Sequence, residues 1–133
     1  MIDQMNEAVV KAIFETVPVE ITVIDEHDEV VGWNKHENRL FKRPLTAMGV
    51  NFRECHPKES LWKVEQIVDE MKAGKRDSAR FWIDMNLKTG GKHKILIEFF
   101  ALHDENGKYL GCMECTRDVE DLLHIEGEKR LID

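Results

Sequence analysis

Three runs between residues 78 and 118, SARFWIDMNLK (78–88), HKILIEFFALHD (93–104) and YLGCMECTRD (109–118), are rich in β-branched and aromatic side chains. Side chains on a strand point alternately to its two faces, so such runs suit strands of a sheet. TGGK and ENGK stand between them as turn segments, and together the five stretches predict a three-stranded antiparallel meander. Everything else in the chain has to cover that meander. In its first run Phe81, Ile83, Met85 and Leu87 share the face expected to point inward, with Arg80, Asp84, Asn86 and Lys88 opposite and Trp82 as the exception. The middle run is apolar on both faces, with Ile95, Ile97 and Phe99 on one and Leu96, Phe100 and Leu102 on the other. Its back is therefore expected to lie under the N-terminal helix or a partner chain.

The preceding segments supply the cover. DQMNEAVVKAIFET (3–16) places Met5, Val9, Ala12 and Ile13 at helical spacing, and Pro18 ends that helix. VEITVID (19–25) and EVVGWN (29–34) are two short strands joined by a polar turn. Pro44 and Gly49 break HENRLFKRPLTAMGVNF (36–52) into short helical turns. KESLWKVEQIVDEMKAG (58–74) carries Leu61, Val64, Ile67, Val68 and Met71 on one helical face, with Pro57 as its starting signal and Gly74 as its stop. A short exit helix is expected from residue 119, on Val119, Leu122, Leu123 and Ile125, weakened by Gly127. At 133 residues this is one α+β domain: an N-terminal flanking helix (1–17), a core (18–118) and a C-terminal exit helix (119–133).

Charge and composition exclude several classes of function. A net charge of -7 disfavours a phosphate backbone as partner, because that binding draws on clustered cations. The basic group Lys72, Lys75, Arg76 and Arg80 is expected to be a solvated turn. No stretch approaches the roughly 18 apolar residues of a membrane span, and the N-terminus lacks the pattern of a signal peptide, so a cytoplasmic location is expected. Three cysteines, Cys55, Cys112 and Cys115, are an odd number for a disulfide framework and are expected to be reduced. Cys112 and Cys115 stand three apart on a strand, which sends them to opposite faces and argues against a shared metal or an ordinary redox pair. Carboxylates fall in turns and on solvated helix faces, and no strained glycine elbow accompanies a Ser/His/Asp set, so catalysis is not expected.

The order of elements and the text VEITVIDEHDEVVGWNKHENRLF, with Asn34 at a characteristic asparagine, resemble the opening of a PAS sensor domain. TRDVED (116–121) resembles the closing motif at which the last strand of such domains hands over to a signalling helix, so the resemblance spans essentially the whole chain. Two turn positions depart from the pattern: Asp28 and Lys42 stand where the family often has glycine. RECHPKES (53–60) is similar to a subgroup that reads CHPP here and often accompanies hemerythrin-like or regulatory domains, with Lys58 in place of the second proline. The resemblance implies a five-stranded antiparallel sheet with short helices and one longer helix on one face. It implies a small-molecule pocket between them, a homodimer formed through the flanking helices or the sheet's outer face, and a downstream effector domain.

Within that fold the expected pocket residues are Asn34, Phe41, Phe52, Cys55, Leu61, Val64, Val68, Phe81, Ile83, Ile97, Phe99 and Met113. Haem b is the sharpest cofactor expectation. Iron takes an imidazole nitrogen and often a thioether sulfur, and His56 with Met85 resembles the ligand pair of haem-binding PAS modules in carbon-monoxide-responsive regulators. A gas would then displace Met85. Flavin photochemistry is not expected, because GVNFR (49–53) puts Phe52 where light-sensing PAS domains carry the reactive cysteine. The alternative is a cofactor-free pairing module whose pocket is filled by Phe52, Leu61, Ile83 and Phe99.

Overall fold

The computed structural model describes residues 1–132. Five strands, β1 (Glu20–Asp25), β2 (Val30–Trp33), β3 (Ser78–Asn86), β4 (Lys92–His103) and β5 (Tyr109–Asp118), form one antiparallel sheet in the order β2-β1-β5-β4-β3. The meander and the hairpin both form as the sequence predicts. The last strand of the meander pairs with the first strand of the hairpin, Glu20 opposite Thr116 through Asp25 opposite Gly111.

Gly111 is indispensable to that pairing. Its φ is 148°, and a Cβ built there would lie 2.0 Å from the Ile24 carbonyl oxygen. Only glycine tolerates both the dihedral and the approach.

One face of the sheet carries the core. Helix α3 (Lys58–Lys72) lays Val64, Val68 and Met71 on it, and a short helix α2 (Phe52–Cys55) adds Phe52. These meet Ile24, Val30, Trp33, Ile95, Ile97 and Phe99. Gly74, at φ 73°, ends α3 as expected: Lys75 N–H donates to the Glu70 carbonyl and Gly74 N–H to that of Met71, satisfying carbonyls the helix leaves over. The expected solvated basic group is largely paired, Lys72 with Asp28, Arg76 with Glu70 and Arg80 with Glu98.

Four expectations need correction. Helix α1 (Glu7–Thr16) starts later than residue 3, because the Asn6 side chain caps it by accepting from Val9 N–H, and it buries no residue. It therefore does not cover the back of the sheet. Ile83 is 39% exposed, because β3 is the edge strand and α3 lies over the middle of the sheet. The exit helix is only a five-residue 3-10 segment, Glu120–His124; Gly127 at φ 63° follows it, and no further helix forms up to residue 132. Asp28 is no idle substitution for glycine. It holds a left-handed φ of 66° and buries a carboxylate whose Oδ2 accepts from Arg53 Nη1 (2.9 Å) and Lys72 Nζ (2.7 Å), tying the hairpin turn to α2 and α3.

Gly111→Ala should lower unfolding free energy by on the order of 3 kcal/mol, the cost of a forbidden dihedral plus a backbone clash, and chemical denaturation measures it.

Candidate functional site

A cavity of about 60 Å³ lies between the sheet and the helices. Its sheet wall consists of Val30 on β2, Thr22 and Ile24 on β1, Cys112 and Glu114 on β5 and Phe99 on β4. Phe52, Val64, Val68 and Ala47 close it from the helical side, and Arg43, Cys55 and His56 complete the lining.

Proline chemistry brings His56 there. A residue before proline is driven out of the helical region, and His56 accordingly takes φ -102°, ψ 142° between α2 and α3. The break that Pro57 imposes leaves the imidazole on the cavity wall. Burial, and then the Arg43 charge, push the His56 pKa below its ordinary value, which favours the neutral ring. Cys55 lines the cavity as expected, though the residue as a whole is exposed.

The cavity's polar side is an acid–base cluster. Arg43 donates from Nη2 to Glu114 Oε1 (3.0 Å) and from Nε to Thr22 Oγ1 (3.2 Å). Thr22 Oγ1 also accepts from Arg39 Nη2 (2.9 Å). Arg39, with its side chain 1% exposed, donates to the carbonyls of Phe41, Ile21 and Asn34 and lies 3.8 Å from Glu20. Burial raises the Glu114 pKa, opposed by Arg43 and Arg39, and burial lowers that of Arg39. Both shifts express the cost of taking charge out of water, which pairing offsets.

Asn34 is fully buried but does not line the cavity. Its Oδ1 accepts from Ile21 N–H (2.6 Å), and its Nδ2 donates to the carbonyls of Phe14 (2.7 Å) and Val19 (3.1 Å). The characteristic asparagine is thus a clamp between the last turn of α1, the start of β1 and the end of β2. Lys35 N–H, donating to Glu15 Oε2 (2.8 Å), reinforces that clamp.

Of the expected pocket residues, the structure brings together Phe52, Cys55, His56, Val64, Val68 and Phe99. Phe41, Leu61, Phe81 and Ile97 belong to the surrounding packing. Met113 lies on the other face of β5 from Cys112 and Glu114, opposite Val23 and Phe100. Met85 stands opposite His93, and from position 93 to Phe99 strand β4 runs about 20 Å at its usual rise. β3 contributes nothing to the cavity. Neither His36 nor His103 lines the cavity: His36 Nδ1 accepts from Trp33 Nε1 (2.9 Å), and His103 packs edge-on against Tyr109.

A haem held by His56 and Met85 does not fit this arrangement, since the two side chains do not face one cavity. The volume also falls far below the roughly 300–1,000 Å³ of sites for larger ligands. The two thiols of the last strand lie on opposite faces, and burial raises them, Cys112 to about 12 and Cys115 to about 11, which favours the unreactive thiol form. Among the described residues no helix is long and apolar enough to cross a membrane.

The sequence reading missed Thr22, Arg39, Arg43 and Glu114. A signal existed for two of them: Thr22 and Glu114 are polar residues in phase with the inward-facing Ile24 and Cys112. Arg39 and Arg43 sit in an aperiodic loop that carries no phase.

A family model described as PAS domain matches residues 10–120. The chain belongs to the PAS domain family. Such domains are in general sensory and regulatory rather than catalytic. Solved structures with the same fold include a C-terminal domain from Streptococcus mutans (24% identity, 90% of this chain and 89% of that one, TM-score 0.79). A PAS domain from Colwellia psychrerythraea also shares it (20% identity, 84% and 95%, TM-score 0.61). So does the Vibrio cholerae protein VqmA bound to DPO (17% identity, 85% and 57%, TM-score 0.61). Among curated proteins none matches the sequence significantly.

Haemin titrated into this PAS domain should keep the absorption spectrum of free haemin, with no change in His56→Ala; a sharp Soret band lost on that substitution would show that the cavity opens to take it.

Proposed function

We propose that this PAS domain senses a small organic molecule in the cavity between sheet and α3 and reports its presence through the hold on α1. One observation carries the reading: the polar wall of the cavity is one end of a continuous hydrogen-bond chain whose other end grips α1. From Glu114 the chain runs through Arg43, Thr22 and Arg39 to the Asn34 carbonyl. The Asn34 side chain then holds the Phe14 carbonyl in the last turn of α1. A molecule that engages Arg43 or Glu114 changes the partners of Thr22 and Arg39, and so the stability of the clamp. Only a ligand that binds the clamped and released forms with different affinity shifts their balance. VqmA, solved with DPO bound, gives a precedent for a ligand-bound protein with this fold.

Ligand-observed NMR with a library of small organic fragments tests the reading. Fragments should bind the wild type and not Val68→Phe, which fills the cavity at an overpacking cost of about 1–3 kcal/mol; binding should also alter hydrogen exchange in α1. Binding that survives Val68→Phe in folded protein, or the absence of any binder, would sink it.

α1 favours a second element of the function, self-association. Val9, Val10 and Ile13 are 42–45% exposed on a ten-residue helix that buries nothing, and a helix this short is marginal without packing. We read this apolar face as the place where a second copy packs. Val9→Glu combined with Ile13→Glu should convert a dimer to monomer in sedimentation equilibrium while leaving the circular dichroism of the sheet unchanged.

A further inference from the structure

Resting on the proposal that the cavity is the sensory site, we infer that it selects a small uncharged molecule with an apolar body and a hydrogen-bond acceptor beside a donor, as in a carboxamide or lactam. Two features lead there.

The first is charge balance. The cluster holds two guanidinium groups, Arg39 and Arg43, and two carboxylates, Glu20 and Glu114, paired as Arg39 with Glu20, both buried, and Arg43 with Glu114, which keep 25% and 17% of their side-chain surface exposed. A buried charge without a partner is costly, so a balanced set disfavours an incoming cation or anion. The second is the inventory of unused groups. Arg43 spends Nε on Thr22 and Nη2 on Glu114, and Glu114 spends Oε1 on Arg43. Arg43 Nη1 and Glu114 Oε2 make no hydrogen bond among the described residues. Neither belongs to the sealed, unpaired polar atoms, which are Asp28 Oδ1 and Tyr109 OH, so each keeps accessible surface.

Arg43 and Glu114 are ion-paired and both line the cavity, so the pair offers a spare N–H donor and a spare carboxylate acceptor, the complement of an amide edge: the ligand carbonyl accepts from Arg43 and its N–H donates to Glu114. Hydrogen bonds to charged partners are the stronger kind, so a ligand satisfying both gains over one satisfying either alone. Ile24, Val30, Phe52, Val64, Val68 and Phe99 provide an apolar enclosure for a short hydrocarbon body.

Three molecules of nearly identical shape separate the possibilities: isobutyramide offers acceptor and donor, methyl isopropyl ketone an acceptor alone, and isobutyrate a negative charge. In ¹H–¹⁵N NMR titrations of the whole chain, isobutyramide should bind about tenfold or more tightly than the ketone, the usual gain from a hydrogen bond to a charged group. Isobutyrate should bind no better than the ketone. Glu114→Gln, which leaves one guanidinium uncompensated, should reverse the order in favour of isobutyrate. Ketone binding as tight as amide binding would overturn the inference and leave a purely apolar sensory cavity. Tightest binding by isobutyrate to the wild type would overturn it in favour of an anion site. If none of the three shifts resonances of the lining residues, the sensory reading of the cavity fails with it.

Discussion

The pairing of β1 with β5 is the constraint on which the rest depends. It joins residues 20–25 to residues 111–116, nearly the whole length of the core apart, and so turns a hairpin and a meander into one sheet. Such contacts are costly in loop-closure entropy and form only when both partners bring burial with them. Here Ile24 and Cys112 bring it on the inner face, and Gly111 removes the atom that would keep the strands apart. The same register sets Thr22 opposite Glu114, which puts two polar side chains side by side in the wall of an apolar cavity.

Those polar groups need partners, and the loop between β2 and α2 provides them. Arg43 and Arg39 reach in from an irregular segment, and each guanidinium is fixed by several acceptors. Planar, permanently charged guanidinium suits that role better than the mobile point charge of lysine. Removing any one member would leave a buried charge or acceptor unpaired, at a cost exceeding the worth of the bond itself. The network is therefore a structural strap between the polar wall of the cavity and α1. At its outer end the Asn34 side chain accepts from Arg39 Nη1 (3.5 Å) and holds the backbone of Ile21, Val19 and Phe14, which ties the network to the last turn of α1.

Much of this was legible in the sequence. Strand periodicity, the turn residues, and the Pro57 and Gly74 boundaries of α3 read correctly because they depend on local geometry. Asn34 was found, yet its task was misjudged: a buried asparagine can face a ligand or hold backbone, and only its neighbours decide between them. Met85 misled for a similar reason. Its phase on β3 is inward, but the strand lies at the edge of the sheet, and phase says nothing about which strand neighbours which. The exit helix overran because apolar spacing alone does not stabilise a helix with no surface to pack on.

What the sequence determined by itself is the set of elements and the side each one turns inward, since both follow from periods of 2 and 3.6 residues along the chain. What only the tertiary structure decided is which side chains from distant segments meet. Strand order put β1 beside β5 and β3 at the edge, so Thr22, Arg43, Glu114 and His56 share a cavity and Met85 does not. Such meetings depend on long-range packing and on the desolvation of paired charges, quantities that belong to the whole fold and to no stretch of its sequence.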